Sequence, residues 1–300
     1  MKKKTYLFAL MAMVLTLGSC SDNENGIGGE TSKYITVSTS IGNMTRVATD
    51  ANGGQTFEEG DEISVYAWTG DATVAPETRE RVVNNAINKL TNGSWVSTPQ
   101  MLWKNNRDKH YFIGVYPTAA ISDLSAGEYT FDANKQTESD LLVAVNPDGL
   151  SYSADAQQTV PLTFTHVMAK LVVNLTYKNQ WGGIPTVEKV VVGNAAKEAT
   201  INYLTKVVTP STTAKEDFSL PEITENTKYV SVIIPQEDVK QLTIVIGGKN
   251  FVYDNGTPFK LESGKITTVN LEVGRDEIKL GDVKITDWED GSTFGGEALN

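Results

Sequence analysis

Apolar and polar residues alternate along most of the chain after Lys33, with the period of two that turns one face of a β-strand toward a core. The first such segment carries Ile35, Val37 and Ile41 between polar threonines and serines. Further strand-like segments lie at 63–68, 171–175, 230–234, 242–246, 251–253, 266–273 and 283–288, and compact apolar runs lie at 110–116 and 141–145. Many short strands separated by turn residues predict an all-β fold built of β-sandwiches.

Clusters of glycine, asparagine and aspartate predict where the chain turns between these strands. Asn146–Gly149 and Asp254–Gly256 have the composition of turns, and Gly247–Asn250 predicts a β-hairpin between two apolar runs. Helical candidates are limited to two short segments, 80–90 and 236–241. We therefore expect few helices, all of them short.

The strand pattern is interrupted once near the middle of the chain. Ser151–Thr159 is small and polar, and Pro161–Phe164 opens a new apolar pattern. We therefore expect two tandem β-sandwich domains, at 34–158 and 159–275, followed by a C-terminal strand and tail at 276–300. Each domain is long enough to bury a core of its own.

The first 20 residues have the three parts of a bacterial lipoprotein signal. Lys2–Lys4 are basic, Tyr6–Leu17 is an apolar run too short to span a membrane, and Leu17–Ser19 leads into Cys20. We expect a signal peptide at 1–19 and a diacylglycerol on Cys20, since a thiol can carry a thioether-linked lipid. Two or more acyl chains give stable anchoring.

Polar and acidic residues dominate the stretch that follows the lipid-bearing cysteine. Residues 20–33 lack the apolar surface needed to fold, and we expect a flexible tether there. Removal of the signal peptide takes three lysines and changes the net charge from −11 to −14. Such an acidic chain is a poor partner for nucleic acid. With Cys20 lipidated, no cysteine remains for a disulfide within the chain.

Candidate catalytic and metal-binding residues are sparse. His110 and His166 are far apart in sequence, and no nucleotide-binding, hydrolase or zinc-protease motif is present. His166 is expected to be a packed or hydrogen-bonded structural histidine. Neither a cofactor nor a metal site is predicted, and no residue is assigned a catalytic role.

Two further groups of residues have both a structural and a functional interpretation. The acidic cluster at 58–62 fits a solvated turn that bends at Gly60, or a carboxylate pair of the kind glycosidases use. Asp287 and Asp290 fall short of a calcium loop. The five tryptophans fit either core packing or a platform for stacking sugars; they are Trp68, Trp95, Trp103, Trp181 and Trp288.

Four segments together resemble the fimbrillin family of Bacteroidetes, the subunits of type V pili and their anchor and tip relatives. They are Thr45–Thr49, Thr56–Tyr66 with its Phe-x-x-Gly-Asp-x-Ile-x-Val-Tyr pattern, Leu162–Leu171 and Val283–Trp288. With the lipoprotein signal, they span almost the whole chain in the family's order. The resemblance implies two transthyretin-like β-sandwich domains in tandem, in agreement with the strand pattern.

The resemblance also implies a route of assembly. Family pilins reach the surface as lipoproteins, and a protease, often arginine-specific, cuts after the first strand. The matching bond here joins Arg46 to Val47. The cut would release the lipid together with the strand that carries Ile35, Val37 and Ile41. A C-terminal strand of the next subunit would then fill the vacated groove. The candidate donor strand here carries Val283, Ile285 and Trp288.

Two functions of different class remain open at this point. One is a structural subunit or accessory component of a fimbrium, whose partners are other fimbrial subunits. The other is a lipid-anchored adhesin or glycan-binding protein of the outer-membrane surface, whose ligands are host or bacterial surface molecules. The segment at 283–288 correspondingly is either a donor strand or an ordinary edge strand of its own domain. An enzyme is not expected.

Overall fold

Nineteen β-strands and two three-residue 3-10 helices form the secondary structure of the described residues. The computed structural model describes residues 33–42, 57–136, 138–153 and 158–288. The first strands are β1 (Thr36–Ile41), β2 (Glu62–Thr69), β3 (Arg81–Thr91), β4 (Ser94–Thr98), β5 (His110–Tyr116), β6 (Gly127–Thr130), β7 (Leu142–Leu150) and β8 (Thr159–His166). The next are β9 (Ala169–Tyr177), β10 (Val187–Ala196), β11 (Glu198–Asn202), β12 (Val207–Pro210), β13 (Lys215–Leu220), β14 (Glu222–Thr224), β15 (Lys228–Ile233), β16 (Gln236–Ile246), β17 (Lys249–Leu261), β18 (Lys265–Val273) and β19 (Ile278–Asp287). The 3-10 helices cover Thr78–Glu80 and Asn179–Trp181. The predicted all-β fold is confirmed.

Seven strands form the first sheet, in the order β1-β8-β7-β5-β2-β3-β4. β1 runs parallel to β8, with Thr36 opposite Thr159 and Ile41 opposite Phe164. The other neighbouring strands of this sheet are antiparallel. Because β8 pairs with both β1 and β7, the chain leaves this sheet after His166 rather than near residue 158. The division into two tandem domains stays a prediction.

Three further sheets are formed mainly by the second half of the chain. One has five strands in the order β14-β15-β9-β18-β19, and another has four in the order β13-β10-β16-β17. In a three-stranded sheet, β12-β11-β6, the strand β6 of the first half pairs with β11 of the second, which also pairs with β12. β19 is the last strand of the five-stranded sheet, where it pairs only with β18.

The central strands of the first sheet, β2 and β5, are buried on both faces, and the alternation along β2 divides its apolar side chains between two cores. Ile63 and Val65 of β2 face the N-terminal core, which also contains most of the buried side chains of β1 and β8. Tyr66 and Trp68 of the same strand face the main core, together with residues of the second half such as Val190. Burial on both faces explains the nearly continuous apolar run of β5.

Both helix predictions are wrong, and β-bulges are the physical reason. Residues 81–91 and 236–246 are the strands β3 and β16. In β3, the pairing with β2 shifts register and Asn85 adopts a φ of 57°, so that Val83 and Ala86 both face the N-terminal core. In β16, register shifts occur on both sides of Val239. An inserted residue converts the spacing of two into one of three, which imitates a helix.

Two of the predicted turns are bulges as well. Asn146–Gly149 lies inside β7, where the register jumps between the residues opposite His110 and Phe112, and Gly149 has a φ of 65°. Asp254–Gly256 lies inside β17, opposite a similar jump in β16. The hairpin predicted at Gly247–Asn250 is confirmed, since β16 and β17 pair up to Ile246 and Lys249.

No helix in the described ranges is long and apolar enough to cross a membrane. The predictions of a signal peptide at 1–19, of a lipid on Cys20 and of a cut between Arg46 and Val47 concern residues outside the described ranges.

Candidate functional site

β1 is the edge strand of the first sheet, and it pairs with β8 along its whole length. The residues just before it bond to a second segment: the N–H of Ile35 donates to the carbonyl of Met101 (N to O, 2.9 Å), and the N–H of Trp103 donates to the carbonyl of Lys33 (3.2 Å). We call the position of residues 33–41, against β8 and residues 101–103, the β1 slot. Loss of these residues would leave backbone groups of β8 without their partners.

The side chains of β1 fill the floor of this slot. Ile35, Val37 and Ile41 are 2%, 6% and 8% exposed and pack in the N-terminal core. The structure thus brings together the three apolar residues predicted for the displaced strand. Between them, the hydroxyl of Thr39 accepts a hydrogen bond from the indole N–H of Trp95 (3.0 Å). Burial of each aliphatic side chain is worth about 1.5–3 kcal/mol.

An aromatic cluster fixes the chain just beyond the end of the slot. Gly42, which follows β1, donates its N–H to the carbonyl of Phe164 (2.9 Å). Phe57 is where the described chain resumes, and its ring makes edge contacts with Trp95, Tyr116 and Phe164 at centroid distances of 5.3, 5.4 and 5.1 Å. Arg46 and Val47 lie between these two fixed points. A cut there would separate β1 from a chain still anchored at Phe57.

Backbone pairing with β18 holds β19, and Ile278 and Leu280 at its start pack against the main core. β19 pairs with β18 from Ile278 to Asp287, and one bulge interrupts the register. Val283 and Ile285, the predicted donor residues, are 39% and 38% exposed. A position that leaves an apolar side chain more than a third exposed gains only part of the free energy of full burial. The strand therefore carries unburied apolar surface at the edge of its sheet.

Trp288, directly after β19, is held quite differently. It is 4% exposed, and its ring stacks on that of His166 at a centroid distance of 4.0 Å and an interplanar angle of 8°. The ammonium of Lys170 lies 4.8 Å from the centre of the Trp288 ring. The imidazole Nδ1 of His166 is 2.9 Å from Oδ1 of Asp140. Trp288 is thus brought to the end of β8, the strand that lines the β1 slot.

The acidic cluster at 58–62 forms a turn. The N–H of Glu58 donates to the carboxylate of Asp61 (2.7 Å), and Gly60 has a φ of 98° at the bend. Glu59 accepts the N–H of Asn92 (2.7 Å), and Glu62 pairs with Lys89 (2.9 Å). Asp287, which with Asp290 falls short of a calcium loop in sequence, pairs with Lys265. No group of three or more side chains suited to a metal ion occurs among the described residues.

The five tryptophans do not form one platform. Trp68 and Trp103 line a common cavity of about 750 Å³, but they are only 2% and 9% exposed. Trp95 packs on Phe57 beside the β1 slot, and Trp181 packs on Phe251. Buried or separated rings of this kind serve packing rather than sugar stacking.

Two features could not be predicted from the sequence: the bonds between Lys33–Ile35 and Met101–Trp103, and the contacts of Trp288. Met101–Trp103 is a short apolar run, but its pairing with Lys33–Ile35 joins segments far apart in sequence. Lys170 is 2% exposed. The one signal of this burial in the sequence is the position of a lysine among apolar residues of β9. Its partner Trp288 could not be inferred from local pattern.

We expect the burial of Lys170 to make the free energy of unfolding depend on pH. Burial lowers the pKa of Lys170 to about 8, opposed by the Asp140 carboxylate and reinforced by Lys228. Between pH 8 and the unfolded pKa of about 10.4, the unfolded chain holds a proton that the folded chain has lost. The free energy of unfolding should therefore rise with pH in this window.

This contribution amounts to at most about 3 kcal/mol, since one pKa unit corresponds to about 1.36 kcal/mol. Urea unfolding at pH 7.5 and pH 10 measures it as the difference between the native chain and Lys170→Met. Lys189→Met, at an exposed position, is the matched control. Equal pH dependence of the native chain and Lys170→Met would show that the ammonium is not held in an unfavourable site.

Comparison with known proteins identifies relatives over most of the chain. The model of a family described as fimbrillin-like matches residues 45–288. A curated relative from Bacteroides uniformis, described as "Putative fimbrium subunit Fim1C", is 25% identical over 323 residues, covering 100% of this chain and 99% of the relative.

Solved structures of similar fold come from the same group of bacteria. A protein from Bacteroides ovatus, described as a putative cell adhesion protein, has a TM-score of 0.62 and 18% identity over 85% of this chain and 98% of its own. A second such protein, from Bacteroides uniformis, has a TM-score of 0.58 and 18% identity over 86% of this chain and 100% of its own. A fimbrial protein from Bacteroides vulgatus has a TM-score of 0.52 and 13% identity over 84% of this chain and 99% of its own. At these identities the likeness is one of fold.

Proposed function

This chain belongs to the fimbrillin-like family, and on that premise we propose that it is a subunit or accessory component of a type V fimbrium at the cell surface. Fimbrial and cell adhesion proteins among its relatives support this function. Its partners are then other fimbrial subunits, as copies of itself or as related chains. Before assembly, the lipid on Cys20 would hold it to the outer membrane.

We propose that the chain assembles by exchange of strands. A protease cuts between Arg46 and Val47, and residues 20–46 leave with the lipid. The open β1 slot then receives the C-terminal strand of the next subunit. This strand adds to β8 by β-augmentation, with backbone hydrogen bonds for affinity and apolar side chains for register.

The observation that carries this proposal is the position of β1. β1 pairs with β8 along its whole length and buries three aliphatic side chains, so its departure leaves a groove that another strand can refill. The exposed apolar residues of β19 supply a strand with matching alternation, since Val283 and Ile285 are two positions apart, like Ile35 and Val37. Burial in the slot would remove these two side chains from water.

A lipid-anchored adhesin that never polymerises is the alternative function. It would keep its lipid on Cys20. It would also keep β1 paired with β8 and β19 paired with β18, as they are in the structure. The two functions differ in the fate of residues 20–46 on the cell.

The test is the N-terminus of protein sheared from the cell surface, with electron microscopy of the same cells. We expect chains that begin at Val47 and fibres that contain them. Arg46→Ala should abolish both, whereas Arg79→Ala should abolish neither, although the side chain of Arg79 is 79% exposed. Intact chains that retain Cys20 on cells without fibres would favour the anchored adhesin.

A further inference from the structure

Trp288 is the most deeply buried side chain at the C-terminal end of the last strand. Along β19 the predicted donor side chains Val283 and Ile285 are exposed, whereas Trp288 is buried. The N–H of Trp288 donates to the carbonyl of Gly264 (3.0 Å), and the N–H of Gly264 donates to the carbonyl of Met168 (2.8 Å). Most of the side-chain burial at this end of β19 therefore comes from a single indole.

Two polar side chains contact the ring of this indole. The imidazole of His166 stacks on it at 4.0 Å, and the Lys170 ammonium lies 4.8 Å from its centre. Asp140 holds the imidazole through Nδ1 at 2.9 Å. We call Asp140, His166, Lys170 and Gly264 the Trp288 socket. An ammonium close to an indole is a cation–π contact, which strengthens when it is shielded from water.

The socket also connects the two strands that assembly would have to move. His166 is the last residue of β8, and Phe164, two residues before it, pairs with Ile41 of β1. Trp288 thus contacts the strand that forms one wall of the β1 slot. The C-terminal end of β19, through Trp288, and the C-terminal end of β1, through Ile41, therefore both contact β8.

We propose that Trp288 and its socket form an intramolecular lock that keeps β19 in its own sheet until assembly. Release of the indole would free β19 for a second copy of this chain. Val283 and Ile285 are more than a third exposed, so the indole of Trp288 is the most deeply buried side chain that β19 must give up at this end. The proposal rests on the donor-strand function stated above, but the lock itself can be tested in the monomer.

Hydrogen exchange measures the lock directly. The mature chain with Cys20→Ser is compared with the same chain carrying Trp288→Ala or, as the matched control, Ile285→Ala on the same strand. Trp288→Ala should speed exchange at residues 278–287 by on the order of 100-fold, because a buried aromatic side chain is lost. Exchange in β17 should stay unchanged. Equal exchange of β19 in the two variants would overturn the lock.

Loss of the whole fold would look different. If Trp288→Ala speeds exchange in β17 as well, Trp288→Phe and Lys170→Met provide the milder variants. Both should still loosen β19 and not β17. A parallel rise in all strands would show that Trp288 is an ordinary core residue, and the lock would be wrong.

Polymer growth after the Arg46 cut separates the lock from the donor role. A faster-growing Trp288→Ala polymer together with a loosened β19 supports both. A loosened β19 without polymers supports the lock and contradicts donation. Unchanged exchange of β19 overturns the lock, even where polymers form.

Discussion

A chain that begins at Val47 is expected to lose about 5–9 kcal/mol of its free energy of unfolding relative to one that begins at Ser21. Ile35, Val37 and Ile41 would no longer fill the N-terminal core, where each is at most 8% exposed to solvent. β8 and residues 101–103 would lose their backbone partners at the same time. A loss of this size equals the whole stability of many domains.

Urea unfolding of three forms of the protein measures this effect. The first is the intact chain, the second is a chain cut after Arg46 that retains β1, and the third is made without residues 1–46. We expect the first two to be similarly stable and the third to be largely unfolded in its first sheet. A peptide covering residues 278–288 should restore part of its stability. A third form as stable as the first would contradict the role of β1 as the filler of a slot.

Deletion of residues 280–300 is expected to abolish polymer formation after the Arg46 cut. The truncated monomer should still fold, because Val269, Leu271 and Val273 of β18 keep their places in the main core. It loses the burial of Trp288, which costs about 3–5 kcal/mol. Electron microscopy and size exclusion of the cut protein measure the outcome.

Two matched variants show which part of the C-terminus acts. Deletion of residues 289–300 alone should leave polymers intact, since β19 and Trp288 remain. Val283→Lys with Ile285→Lys should leave the monomer stable, because both positions are exposed, yet prevent polymers, because lysines cannot be buried in the slot. The same pair of changes at the exposed Val207 and Val252 is the control. Polymers from the Val283→Lys, Ile285→Lys chain would rule out β19 as the donor.

Most strands could be predicted from the sequence, because a period of two is a local property. Thus the alternation of Leu171, Val173 and Leu175 marks β9, and glycines 247 and 248 mark the hairpin between β16 and β17. The same period of two failed to identify β3 and β16, because a bulge adds one residue and changes the period without ending the strand. The turn residues of β7 failed for the same reason.

The candidate site was predictable in one half only. Ile35, Val37 and Ile41 could be selected as a buried strand from their spacing. The other side of the slot, at Met101–Trp103, and the stacking of Trp288 on His166 depend on contacts between segments more than 60 residues apart. Such contacts follow from the topology of the whole chain. The sequence of one strand does not show which distant segment pairs with it.

The central claim is that a neighbouring copy fills the β1 slot in the fibre. Cryo-electron microscopy of fibres sheared from cells tests it most directly, because side-chain density identifies the strand between β8 and residues 101–103. Residues of the 278–288 segment from the next subunit in that position are the predicted result. Residues 35–41 of the same chain, still in the slot of an assembled subunit, would contradict the account.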